Sequence, residues 1–148
     1  MHAAADDVDD PAAKTEEERL ILIPDTHKDL LERPLFAHMA TVRPDGEIQN
    51  NPMWFAWDGE YVRMTTSTAR QKFRNVEADP RVTLSVNDPD RPYRYLELRG
   101  RVVGVEPDTG GEFFGVLAER YGLDMDGPPS DRLLRVALLV EPVGSSYQ

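Results

Sequence analysis

The sequence predicts a mainly β domain: an antiparallel barrel, closed or nearly closed, with short helices at its periphery. Three observations predict it. Short apolar or alternating segments recur from residue 35 to residue 140, bounded by turn signals such as Pro44-Asp45-Gly46 and Asp58-Gly59. Only a few stretches change to a helical period, and each is short. The chain has no internal repeat and no Gly-x-Gly-x-x-Gly or Walker pattern, so neither a solenoid nor a nucleotide-type parallel sheet is indicated. Several short antiparallel strands with few helices favour a barrel because closure removes exposed strand edges.

The elements follow in order. Residues 1–14 are rich in Ala and Asp, show no periodicity and are expected to be a disordered acidic tail, leaving residues 15–148 as the folded domain. Thr15 with Glu18 forms a capping box, so a helix starts there and carries Leu20 to Ile23 until Pro24 interrupts it. Asp25 caps a second short helix through Leu30 and Leu31, which ends before Pro34. A strand over 35–42, a turn at 43–46, a strand over 48–57, the hairpin signal Asp58-Gly59 and a strand over 61–66 read as two successive hairpins, hence a meander. A helix is expected over 67–79, with Thr68 as its cap and Phe73 and Val76 on its inner face, ended by Pro80. A strand over 81–87 alternates Val82, Leu84 and Val86, and 88–92 is a loop. A long strand over 93–105 bends at Gly100. A helix over 109–121, a loop over 122–130 and a closing strand over 132–140 complete the chain.

Composition narrows the function. The 148 residues suit one domain, and the absence of cysteine excludes disulfides, thiolate metal sites and cysteine nucleophiles. Met1 to Pro11 lacks the basic start and apolar run of a secretory signal, and no apolar stretch approaches the ~18 residues of a membrane span, so a cytoplasmic protein without membrane partners is expected. The net charge of −10 argues against nucleic-acid binding. Much of the acid sits early, at Asp6, Asp7, Asp9, Asp10, Glu16, Glu17 and Glu18, so the remaining surface can hold a local basic site.

The chemically informative stretch is Thr65-Thr66-Ser67-Thr68-Ala69-Arg70-Gln71-Lys72-Phe73-Arg74-Asn75. Four hydroxyls at a strand end run into a helix start, and three cations follow within five positions. Hydroxyls and helix N–H groups suit an anion, Arg offers a planar fork and Lys a point charge. The residues alone leave two readings open: a phosphate or carboxylate site, or a helix cap with solvated cations. His2, His27 and His38 are not spaced with a carboxylate as metal ligands, so no metal is expected. No Gly-x-Ser-x-Gly elbow marks a nucleophile, and no catalytic residue is assigned. Trp54, Phe55 and Trp57 are expected in the core or an interface, and Tyr93 and Tyr95, on one strand face, at a dimer seam.

Four segments, in order, resemble the pyridoxamine-phosphate-oxidase-like superfamily: Ala40-Thr41-Val42-Arg43-Pro44-Asp45-Gly46, Pro52-Met53-Trp54-Phe55, Ala69 to Asn75 with Asp79-Pro80-Arg81-Val82, and Tyr95 to Val102. The resemblance implies a split β-barrel of the FMN-binding kind, working as a homodimer with cofactor in the subunit cleft. It implies that Lys72 and Arg70 contact the cofactor phosphate, within a segment that includes Gln71 and Arg74. Met64, Thr65, Thr66 and Ser67 would run beside the ring, Asn51, Pro52 and Met53 would line it from the second strand, and Tyr93 or Arg94 would close the site from the partner subunit. Within the superfamily the chain looks most like the group that uses the deazaflavin F420, a group typical of actinobacteria, and the scarcity of Lys beside abundant Asp, Arg, Pro and Ala fits GC-rich coding. The implied function is an F420H2-dependent oxidoreductase that passes hydride to an unsaturated small molecule. Alternatives of the same fold are an FMN-dependent flavin reductase or oxidase and a non-catalytic F420 or FMN carrier. Arg74, Arg91 and Arg94 would then be candidates for the anionic tail of F420.

Overall fold

A computed structural model describes residue 15 and residues 22–148. The expected acidic tail, and all of the first expected helix except Thr15, Leu22 and Ile23, lie outside the described residues. The described chain opens with a 3-10 turn, Asp25–His27, and a short helix α1, Asp29–Glu32. Seven strands follow: β1 Ala37–Val42, β2 Ile48–Met53, β3 Ala56–Trp57, β4 Val62–Ser67, β5 Arg81–Asp88, β6 Arg91–Pro107 and β7 Arg135–Tyr147. Helix α2, Gln71–Ala78, joins β4 to β5, and α3, Glu112–Arg120, lies between β6 and β7.

All strand pairs are antiparallel, in the order β2-β1-β5-β6-β7-β4-β3. The order forces curvature. β2 and β3 are the two edges of the sheet, yet only Trp54 and Phe55 separate them in sequence. A flat sheet with six strand spacings of about 4.8 Å would hold its edges about 29 Å apart. Three Cα–Cα steps from Met53 to Ala56 reach about 11 Å at most. The sheet therefore curls until its edges meet, leaving a seam without ladder hydrogen bonds between β2 and the β3–β4 side. This is a split barrel.

The seam corrects the expected single strand over 48–57 and the expected meander. β1–β2 and β3–β4 are each hairpins, but β2 and β3 do not pair. Phe55, fully buried, turns into the core at the crossing, where a straight strand would have had to choose one face. The second hairpin also has a longer loop than its Asp-Gly signal suggests. Residues 58–61 form it, the Asp58 carboxylate accepts from the Glu60 and Tyr61 N–H groups, and Gly59 takes φ +95°.

The core lies inside the curl. β5 alternates as expected, with Val82, Leu84 and Val86 inward, against Met39 of β1, Met64 of β4, Leu96 of β6 and Leu138 of β7. Leu30 and Leu31 of α1 are buried in the same core cluster. The bend at Gly100 occurs with a register shift between Arg99 and Gly100; a Cβ there would stand 2.7 Å from Glu141 O. β7 starts three residues later than expected and continues to Tyr147, because Arg132–Leu134 form a 3-10 turn and the first half of β6 supplies ladder partners to Ser145, Ser146 and Tyr147. Those residues carry no alternating apolar pattern that would announce a strand.

Candidate functional site

A cavity of about 540 Å³ lies along the seam. Pro52 and Met53 of β2 and Trp54 of the crossing form one wall, and Thr65 and Thr66 of β4 form the other. Arg70 and Lys72, at the entry to α2, and Arg135, at the start of β7, make one side cationic. Phe36 and Phe114 extend the aromatic side begun by Trp54.

Each piece is held by local structure. β4 ends in a turn, not in the expected cap: Ala69 N–H donates to Ser67 Oγ at 3.2 Å, and Arg70 N–H donates to Ser67 O at 3.0 Å. Thr68 therefore does not cap α2; Arg70 occupies that position and makes no side-chain cap bond. Its guanidinium is left for the cavity. Lys72 is half-buried and donates to the thioether of Met53 at 3.1 Å. Burial, and then the nearby charges of Arg70 and Arg135, hold its ammonium below the ordinary lysine value. No carboxylate among the described residues pairs with Arg70 or Lys72. Arg135 stands opposite Ser67 in the β4–β7 register, donates to Asp131 at 3.1 Å and lies 4.8 Å above the Phe114 ring.

The aromatic side is built from remote segments. Asp108 accepts from the Phe113 and Phe114 N–H groups at 3.0 Å each, which caps α3 and fixes Phe114. Tyr121, just past α3, stacks on Trp54 with centroids 5.0 Å apart and planes 9° apart. Its hydroxyl donates to Leu35 O at 2.6 Å and accepts from Phe55 N–H at 3.0 Å, so it pins the crossing across the seam.

Six of the twelve expected ligand-contacting residues come together here: Pro52, Met53, Thr65, Thr66, Arg70 and Lys72. Thr65 Oγ1 is buried without a hydrogen-bond partner among the described residues, the kind of orphaned group that a ligand satisfies. The other six do not line this cavity within one chain. Met64 is fully buried in the core, and Ser67 is used in its turn. Asn51 accepts from Gln49 Nε2 at 3.0 Å, and Gln71 donates to Asn75 at 2.8 Å. Arg74 bridges Ala69 O and Gln71 Oε1. Arg94 is tied to Asp29, Asp88 and Thr26 O, and with Arg91 and Tyr93 it borders a separate hollow. The sequence reading missed Arg135, Phe36 and Phe114, all brought in by distant segments. Trp54 carried a signal, its place beside Pro52-Met53, and was assigned instead to the core or an interface.

The pyridoxamine 5'-phosphate oxidase family model matches residues 23–141. The chain belongs to this family. Its membership accounts for the split barrel and indicates a flavin or deazaflavin as the class of cofactor and oxidoreduction as the class of reaction. A solved structure of an F420 reductase is 52% identical, covers 85% of this chain and all of its own, and superposes with a TM-score of 0.83. Two more distant structures share the fold. A conserved hypothetical protein of Mycobacterium tuberculosis is 24% identical over 84% of this chain and 83% of its own, with a TM-score of 0.65. General Stress Protein 26 of Bacillus anthracis is 19% identical over 89% and 92%, with a TM-score of 0.59. No curated protein matches the chain. Among the described residues, no helix is long and apolar enough to cross a membrane, and no group of three or more potential ligands could hold a metal ion.

Proposed function

We propose that this pyridoxamine 5'-phosphate oxidase-family chain is an F420-dependent oxidoreductase acting on an unsaturated organic small molecule. The observation that carries the reading is the cavity itself. It joins Arg70 and Lys72, cations without carboxylate partners among the described residues, to the orphaned Thr65 hydroxyl and an aromatic wall. That donor set fits a ligand with an anionic phosphate end and a flat ring with a polar edge. The 52% identity to an F420 reductase favours the deazaflavin over FMN.

When bound, the reduced deazaflavin supplies the hydride. Lys72 and Arg70 would hold the phosphate, and Thr65 and Thr66 would offer their hydroxyls to the ring. Met53 and Pro52 support the ring from β2. Trp54, Phe36 and Phe114 keep water from the acceptor and limit its freedom, which is where a protein of this kind contributes to rate. The working unit is a homodimer whose partner subunit completes the cleft, and Tyr93 and Arg91, which border the separate hollow, are the side chains offered to it. Light scattering at micromolar concentration is expected to give a dimer; a monomer would break the shared-cleft model.

The deciding experiment titrates the purified protein with F420 and FMN side by side, then follows oxidation of reduced F420 against a panel of unsaturated acceptors. Tight F420 binding with weak FMN binding and turnover on an acceptor is expected. Preference for FMN would move the chain to the flavin branch. Tight F420 binding without turnover on any acceptor would make it a carrier.

A further inference from the structure

We propose that Asn75 is a positioning residue: it locks the cation-bearing helix α2 in register against the β1–β2 hairpin, and so sets where Arg70 and Lys72 stand relative to Pro52 and Met53. The inference rests on the cofactor reading above. Asn75 is fully buried, at 0% exposure, and its amide is fully engaged. Nδ2 donates to Thr41 Oγ1 of β1 at 2.9 Å and to Gln49 Oε1 of β2 at 3.2 Å, and Oδ1 accepts from Gln71 Nε2 at 2.8 Å.

The bonds continue outward in both directions. On the helix side, Gln71 Oε1 accepts from Arg74 Nη2 at 2.8 Å, and Arg74 Nη1 donates to Ala69 O at 3.1 Å. On the sheet side, Gln49 Oε1 accepts from Arg43 Nη1 at 3.2 Å, and Gln49 Nε2 donates to Asn51 Oδ1 at 3.0 Å. The network therefore runs from the residue before Arg70 to the residue before Pro52, with Asn75 at its hub. Its two ends flank the two sides of the cavity that Lys72 bridges through Met53.

The apolar contacts of α2, through Phe73 and Val76, are not directional and leave a short helix free to slide or rotate at small cost. Directional hydrogen bonds in a buried network do not. Apolar residues at both position 75 and its buried partner position 41 would leave that pair with no polar group to satisfy, so folding alone gives little reason for an amide there. A reason exists if the angle of the helix decides the reach of Arg70 and Lys72. Gln71 and Arg74, expected at the ligand from sequence, thereby act through the helix.

The test compares ligands that differ in the phosphate. Wild type, Asn75→Leu and Gln49→Leu are titrated with F420 and its phosphate-free deazaflavin riboside, and with FMN and riboflavin, and thermal melts are recorded in parallel. The preference for the phosphate-bearing member of each pair is expected to fall about tenfold in both variants, while affinity for the phosphate-free member stays within about twofold. A purely structural role would lower the melting temperature and leave that preference at the wild-type ratio, which overturns the proposal. Gln49→Leu sits on the edge strand β2 with a half-buried side chain, so it carries the comparison if Asn75→Leu does not fold. A wild type that binds none of the four ligands overturns the cofactor reading and this inference with it, an outcome distinct from a wild type that binds and variants that keep its preference.

Discussion

Two of the cation clusters among the described residues of this acidic protein are compensated in opposite ways. Arg33 and Arg94 are matched by Asp29, Asp88 and Asp90, in a clamp that ties α1 to the β5–β6 turn. Hydrogen bonding from Arg94 above all holds the Asp29 carboxyl below its ordinary value. For Asp88 the Asp90 N–H contributes most, followed by the charge of Arg33. In the seam cavity, Arg70 and Lys72 stand near Arg135 without a matching carboxylate among the described residues, and burial with these charges holds the Lys72 pKa below its ordinary value. A cluster of positive residues is therefore not in itself a site. Cations kept close together against their own repulsion are the ones that await an anion.

The sharpest way to break that contrast is to remove Lys72. Lys72→Ala is expected to weaken binding of the phosphate-bearing cofactor by about tenfold to a hundredfold, the worth of a charge-assisted contact of roughly 1.5–3 kcal/mol. Folding should change little, because the burial that disfavours the ammonium is relieved. Unchanged affinity in a titration would take the phosphate away from this cluster.

Arg94→Ala should give the converse signature: a lower melting temperature, with cofactor affinity within about twofold of wild type. A large loss of affinity would return Arg94 to the ligand set, acting from the partner subunit. The pH dependence tests the same point. Carboxylates whose folded pKa is depressed contribute stability that is complete above their ordinary value of 3.8 and is lost as pH falls through the depressed values. Denaturant melts should show wild type losing stability below about pH 4 more steeply than Arg94→Ala. Asp79, drawn down to about 2 by Arg81, contributes in the same window in both proteins.

Lys72 gives the same sign of slope in an alkaline window, because its lowered pKa reports an ammonium that the fold disfavours. Its folded pKa lies below 10.5, so between the two values the unfolded chain holds the extra proton and the free protein gains stability as pH rises. An anionic ligand needs that proton in place, so cofactor affinity should fall through the same alkaline window in wild type and lose this dependence in Lys72→Ala. The smallest effect belongs to Thr65→Val. It removes an unpartnered buried hydroxyl, and should raise stability by about 1 kcal/mol while lowering cofactor affinity a few-fold. A rise in both would exclude Thr65 from ligand contact.

Much of the fold was legible because its signals are local. Val82, Leu84 and Val86 alternate with polar neighbours, and the structure turns them inward. Pro44-Asp45-Gly46 makes its turn, with Gly46 at φ +90° and its N–H donating to Arg43 O. The bend at Gly100 follows from a strand glycine whose missing Cβ leaves room for Glu141 O. The site was legible over the stretch Thr65 to Lys72, where hydroxyls and cations adjoin in sequence. It was not legible where a role depends on partners: Arg74 and Arg94 carry the same charge as Arg70, and only their acceptors, Gln71, Ala69 O, Asp29 and Asp88, show that they are engaged elsewhere.

The sequence by itself determined strand faces, turns, the cation-bearing segment and the family it resembles, because each is written in residues within a few positions of one another. The tertiary structure decided the rest. It broke residues 48–57 into two edge strands, since a seven-stranded sheet whose edges are joined by two residues has to curl. It brought Arg135 opposite Ser67, and Phe36 and Phe114 beside Trp54, through pairings and packing between segments far apart in the chain. Local patterning specifies which face a residue presents; curvature and strand order specify what that face meets.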